Sequence, residues 1–153
     1  MVSVGNSLQN LLTLHYTRRI YNGLFVPNHA ALRAGPTNGK HPEDSVNKLI
    51  AASTTGKDTE KAHDQVTPLA ARLFGTWTML AGFIRMYTAH DVGNRALYQL
   101  SLITHLLAAG HFVSELLVYK TLRLTGPQMF PLVAGIGGSI WMTLQYSHYV
   151  LVA

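Results

Sequence analysis

Residues 129–152 read MFPLVAGIGGSIWMTLQYSHYVLV, a stretch without a formal charge. A run this long and apolar meets the requirement of about 20 residues for crossing roughly 30 Å of hydrocarbon. Pro131 falls in its first turn, where a missing amide donor is tolerated. Two more apolar segments precede this helix C. Helix B, residues 96–119, has the length to span yet holds His105, His111 and Glu115. Helix A, residues 68–89, opens on Thr67-Pro68, a start signal with proline in the first turn. Arg72 and Arg85 bound its uncharged stretch, and their long stems reach toward the interfaces.

The links between these helices are short. Residues 90–95 join A to B, and residues 120–128, with Gly126-Pro127, join B to C. Short links make the three helices antiparallel neighbours. The expected fold is all-α: one membrane domain over residues 1–153, a small polytopic helix bundle. It has three full transmembrane helices plus a truncated or interfacial N-terminal helix.

The first 25 residues carry the leucines of that helix, but Asn6, Gln9, Asn10, His15, Arg18 and Arg19 interrupt them. The apolar run is too short to span, and an amphipathic interfacial helix fits better. A basic leader followed by a sustained apolar core is not evident at the start. Residues 26–66 contain Pro27, Gly35-Pro36, Asn38-Gly39, His41-Pro42 and Gly56. That is turn chemistry without apolar period, and it reads as a flexible polar loop.

The chain has 153 residues, a net charge of +5 and no cysteine. The missing thiols exclude a disulfide framework, a thiolate metal site and a cysteine nucleophile. The basic residues are scattered at the edges of apolar segments, which argues against a nucleic-acid face. Their distribution orients the bundle instead. Arg18, Arg19, Arg33, Lys40, Lys48, Lys57, Lys61 and Arg72 precede helix A, and Lys120 and Arg123 fall on the same side between B and C. Only Arg85 and Arg95 lie opposite, so the N-terminal region and the B–C link face the cytosol.

The polar residues of helix B invite three readings. His111 and Glu115, four apart, share a helix face, whereas His105 points elsewhere. Ionisable groups inside a membrane are expensive and face a partner or a wet cavity. Glu115 can lock the bundle through Arg72, Arg85 or His111. With Ser114, these residues can instead form a polar network that contacts a partner protein or a lipid head group. Or His111 and Glu115 can act as an acid–base pair on a membrane-embedded substrate. A metal site needs three or four converging ligands, and this pair supplies two.

Small-xxx-small pairs mark candidate helix-packing faces at Gly75, Gly82, Gly110, Gly135 and Gly138. They serve packing within the bundle or association with other membrane proteins, self-association included. The glycines of residues 135–138 follow no strand, so a dinucleotide loop is excluded.

Several motifs resemble the ergosterol biosynthetic protein 28 family, in particular its fungal members. They are RLFGTWT at 72–78 with Arg85, NRALY at 94–98, LITH at 102–105 and, most specifically, GHFVSELLVY at 110–119. SVGNSLQ at 3–9 and YTRR at 16–19 extend the match to most of the chain outside the polar segment. The resemblance implies a multi-pass protein of the endoplasmic reticulum membrane that is not an enzyme and has no cofactor. It implies a scaffold that tethers C-4 methyl sterol oxidase, sterol C-4 decarboxylating dehydrogenase and 3-keto sterol reductase, and that associates with sterol methyltransferase. No catalytic residue is carried over. Family members have a further hydrophobic stretch ahead of the part matching 2–9, so this chain is expected to begin within that helix. The polar segment 26–66 is longer than usual for the family.

Overall fold

The structure is a computed structural model that describes residues 2–29, 49–52, 61–124, 126 and 129–150. Among the described residues, six helices and two short strands run in the order α1 (Val2–Leu12), α2 (His15–Ile20), β1 (Phe25–Pro27), β2 (Leu49–Ala51), α3 (Pro68–His90), α4 (Arg95–Leu117), α5 (Met129–Leu144) and α6 (Tyr146–Val150).

The starts of the two longest helices follow from their caps. Thr67 is extended, and its side chain accepts from the Ala70 amide ahead of Pro68. Asn94 accepts from the amides of Ala96 and Leu97. Each side chain satisfies donors that the first turn leaves free.

Neighbouring helices run antiparallel, in the spatial order α1, α3, α4, α5. Ser7 Oγ meets Thr78 Oγ1 at 2.8 Å, which seats α1 against the first half of α3. Arg85 of α3 reaches Thr104 of α4, and the Thr88 hydroxyl donates to the Leu97 carbonyl. Tyr98 of α4 donates to the Met142 carbonyl of α5 at 2.8 Å. An unbroken helix would offer that carbonyl to the Tyr146 amide. The continuous helix expected over 129–152 therefore ends at Leu144 and resumes as α6; residues 151–152 lie outside the described residues.

A compact apolar cluster fills the end of the bundle nearest the α4–α5 link. Ile20, Ala108, Phe112, Leu122 and Leu132 are buried there, with Tyr16, Tyr21, Phe74 and Trp77 packed around them. Elsewhere the long helices expose apolar side chains: Leu80, Phe83, Ile103, Leu106, Val133, Ile140 and Trp141 all face outward.

One expectation needs correction. The fold is not purely helical: β1 pairs antiparallel with β2, and Phe25 also bridges His63. The ribbon lies in the expected loop 26–66 and its N-terminal flank, of which residues 30–48 and 53–60 lie outside the described residues. Of the three expected spans, one helix among the described residues, α4, is long and apolar enough to cross a membrane. Helix α5 is apolar but has 16 residues, and α3 has 23 but carries Arg72 and Arg85.

Candidate functional site

The GHFVSELLVY stretch supplies the end of α4, and its geometry begins with how that helix stops. The amides of Val118 and Tyr119 both donate to the Ser114 carbonyl, at 2.8 and 3.0 Å. Lys120 then takes a left-handed conformation, φ 57°, and the chain reverses. The reversal returns the Thr121 hydroxyl to Glu115, where it donates to Oε2.

Residues 21–23 close the site from the other side. The Gly23 amide donates to the Thr121 carbonyl at 2.7 Å, and Asn22 Oδ1 accepts from the Arg123 amide at 2.8 Å. A Cβ at Gly23 would press on the Lys120 carbonyl and lie 2.7 Å from Thr121 Cα, so the two backbones meet only because this residue is glycine. The contact aims Tyr21 inward, with Oη 2.6 Å from His111 Nε2. His111 Nδ1 lies 3.8 Å from Glu115 Oε1. The result is a chain Tyr21–His111–Glu115–Thr121. A proton on Nδ1 faces the carboxylate and leaves Nε2 to accept from the phenol. Burial, then the Glu115 charge and then Tyr16, raise the Tyr21 phenol above its ordinary value, so it keeps its proton.

The predicted site residues divide. His111 and Glu115 belong to this chain. Ser114 bonds back to the His111 carbonyl in its own helix. Arg85 is not a partner of Glu115, because its guanidinium donates to Oγ1 and the carbonyl of Thr104 at 3.1 and 3.3 Å. Arg72 makes no ion pair with Glu115 among the described residues. A Cβ on Gly75 would lie 3.0 Å from the Ser7 carbonyl oxygen, and one on Gly135 would lie 3.0 Å from the Ala109 amide nitrogen. A Cβ on Gly138 would strike the His105 ring. Gly82 is half-buried, whereas Gly110 opens on empty space. Among the described residues no group of three or more His, Asp or Glu converges as a metal site would require.

Beside the chain lies a cavity of about 560 Å³, whose walls include Tyr21, Phe74, Trp77, Leu107 and His111. Tyr21 and Phe74 meet edge to face at 5.4 Å, and Trp77 and His111 at 5.5 Å. Tyr21, Gly23 and Thr121 carry no recognisable motif; only their position after folding assigns them here.

The profile of a family described as Erg28 like protein matches residues 1–140. The chain belongs to this family. It is 45% identical over 150 residues to the Ergosterol biosynthetic protein 28 of Gibberella zeae, covering 98% of this chain and 85% of that protein. The Candida albicans protein of the same name is 37% identical over 107 residues, or 70% of this chain and 78% of the relative. The human Ergosterol biosynthetic protein 28 homolog is 48% identical over 68 residues, 44% of this chain and 49% of the relative. No solved structure matches. The most specific motif of the family resemblance, at 110–119, thus covers the end of α4 and contributes His111 to the wall of the cavity.

Proposed function

We propose that this chain is a non-catalytic scaffold of ergosterol biosynthesis in the endoplasmic reticulum membrane. It would hold the C-4 methyl sterol oxidase, the decarboxylating dehydrogenase, the 3-keto reductase and the sterol methyltransferase near one another. Proximity is the physical gain: co-location raises the effective concentration at which a membrane-dissolved intermediate meets the next enzyme.

The observation that carries the reading is the closure of the His111–Glu115 pair. Both residues are tied by groups of this same chain, Tyr21 and Thr121, as a lock would be. The sterol assignment leans on the 45% identity to a protein named for ergosterol biosynthesis. The membrane assignment leans on α4, of whose most apolar 18 residues only 22% are buried. A soluble core helix would be mostly enclosed, and a large exposed apolar surface marks a membrane or partner.

In this reading α3, α4 and the α5–α6 pair are the three spans. Helix α3 has 23 residues and is about 34 Å long, enough to cross. Its Arg85 turns into the bundle, where the hydroxyl and carbonyl oxygens of Thr104 accept two of its N–H bonds. By the distribution of basic residues, the N-terminal region and the α4–α5 link would face the cytosol. Residues 1–25, the segment 26–66 and the helices form one membrane domain.

A second reading has one observation in its favour: His111 lines the cavity. It makes the chain a membrane-embedded sterol-modifying enzyme with His111 and Glu115 as the acid–base pair. Replacing Glu115 by Gln separates the two. A scaffold loses the protein or its co-purifying enzymes; an enzyme loses turnover while the complex still assembles. Affinity purification from detergent identifies the partners. Deleting the chain should leave each isolated enzyme competent while C-4 methylated sterols accumulate. A missing chemical step in the isolated enzymes would defeat the scaffold.

A further inference from the structure

The cavity combines three properties that restrict its occupant. Its volume of about 560 Å³ falls within the range of roughly 300–1,000 Å³ that encloses small ligands. Among the described residues none of its walls is a Lys, Arg, Asp or Glu, so a phosphate or choline head group finds no counter-charge there. Its walls are mainly apolar, Phe74, Trp77, Leu73 and Leu107 among them, and Tyr21 and His111 add hydrogen-bonding groups beside the Phe74 and Trp77 rings. An uncharged, mostly apolar molecule with a single polar group fits this lining.

These polar groups retain hydrogen-bonding capacity. Thr121 spends its hydroxyl proton on Glu115. The Tyr21 phenol donates to His111 Nε2 in the tautomer above, which leaves lone pairs on the phenolic oxygen. A hydroxyl entering the cavity can donate to that oxygen. The apolar body would then lie against the flat faces of Phe74 and Trp77, which suit a rigid ring system.

Location agrees with this chemistry. The Tyr21–His111 pair sits where α4 finishes and α3 begins, at one end of the bundle. Leu73 and Leu107, 62% and 58% exposed, stand along the side that opens away from the core. A lipid with its hydroxyl at the interface and its body toward the bilayer centre would enter sideways without turning over. The second cavity, about 100 Å³ beside Asn6 and Arg85, is too small for such a molecule.

We infer that the cavity between α3, α4 and residues 17–25 binds one sterol, its 3-hydroxyl received by Tyr21 and its rings lying along Phe74, Trp77 and Leu107. The choice of sterol among uncharged amphiphiles rests on the proposed place in sterol synthesis. The scaffold would then carry the intermediate as well as the enzymes that process it.

The test uses the full chain in lipid nanodiscs and a photoactivatable sterol that keeps its 3β-hydroxyl. Labelling should map to the α3 and α4 walls. Unlabelled ergosterol should compete, whereas its 3-O-methyl ether and a diacylglycerol should not. Tyr21→Phe, which keeps the ring, should weaken binding about fivefold, the worth of one hydrogen bond. Leu107→Trp should fill the cavity and abolish labelling, and Tyr21→Phe keeps the test decisive if that larger residue prevents folding. Equal labelling of wild type and Leu107→Trp, or equal competition by the ether or the diacylglycerol, overturns the assignment. Co-purification of the pathway enzymes reads the scaffold separately. Failed labelling with enzymes retained overturns only the cavity assignment. Intact labelling with enzymes lost overturns only the scaffold.

Discussion

Thr121 holds the Glu115 carboxylate from beyond the end of the helix that carries it. Removing the carboxylate strands two groups, the Thr121 hydroxyl and His111. Glu115→Ala should therefore cost about 1–3 kcal/mol, the usual penalty for buried polar groups left unpaired. Thermal unfolding in detergent, followed by helical circular dichroism, measures it. Glu115→Gln keeps an acceptor oxygen for Thr121 and should lose less.

The contact of residues 21–23 with residues 120–123 tolerates no side chain at Gly23. Gly23→Ala should separate the two backbones and lower the unfolding midpoint. It should also raise solvent access to Trp77, read by fluorescence quenching. Lys120 shows the opposite case. Its left-handed backbone costs about 1–2 kcal/mol in a non-glycine residue, partly offset by the extra freedom of an unfolded glycine. Lys120→Gly should give a net gain of about 0.5–1 kcal/mol.

The glycines predict contrasting outcomes. Gly135→Val drives a branched side chain into the Ala109 backbone and should part α4 from α5. Gly110→Ala meets open space and should gain up to about 1 kcal/mol of helix propensity. Unfolding midpoints of the two variants check both signs.

Membrane residence predicts a cost for charge on the outer face of α4. Leu106, half exposed, has less packing to lose than a core residue. Leu106→Asp should reduce insertion, because an aspartate at a helix centre opposes it by about 2.5–3.5 kcal/mol. The fraction resisting alkaline carbonate extraction reads the effect. An unchanged fraction would place that face away from lipid.

The helices were legible because their signals are local. Thr67-Pro68 marks a start that the side-chain cap reproduces, and apolar composition finds the bodies of both long helices. The β ribbon was missed because three-residue strands are too short to show alternation. The break at Gln145 was missed because its accompanying bond comes from Tyr98, on another helix. In the site, the i,i+4 rule brought His111 to Glu115. No spacing rule reaches Tyr21, whose contact with His111 spans 90 residues. Charge alone offers Arg72 and Arg85, beside His111, as partners for Glu115, and Arg85 instead finds Thr104 within reach. Of the small-residue positions, Gly75, Gly135 and Gly138 sit at close approaches, but Gly110 has the same spacing signal and packs against nothing.

The long reach from Tyr21 to His111 also sets an order of events during synthesis. Ribosomes add about 5–20 residues per second, so the phenol emerges roughly 5–20 s before its imidazole partner. Through that interval the first 25 residues have neither α4 nor the turn at Lys120 to dock on. The Tyr21–His111 side of the cavity closes only after Thr121 and Arg123 have been made. A lipid held there would therefore be recruited only once residue 123 has been made, and could not be trapped by the first 25 residues on their own.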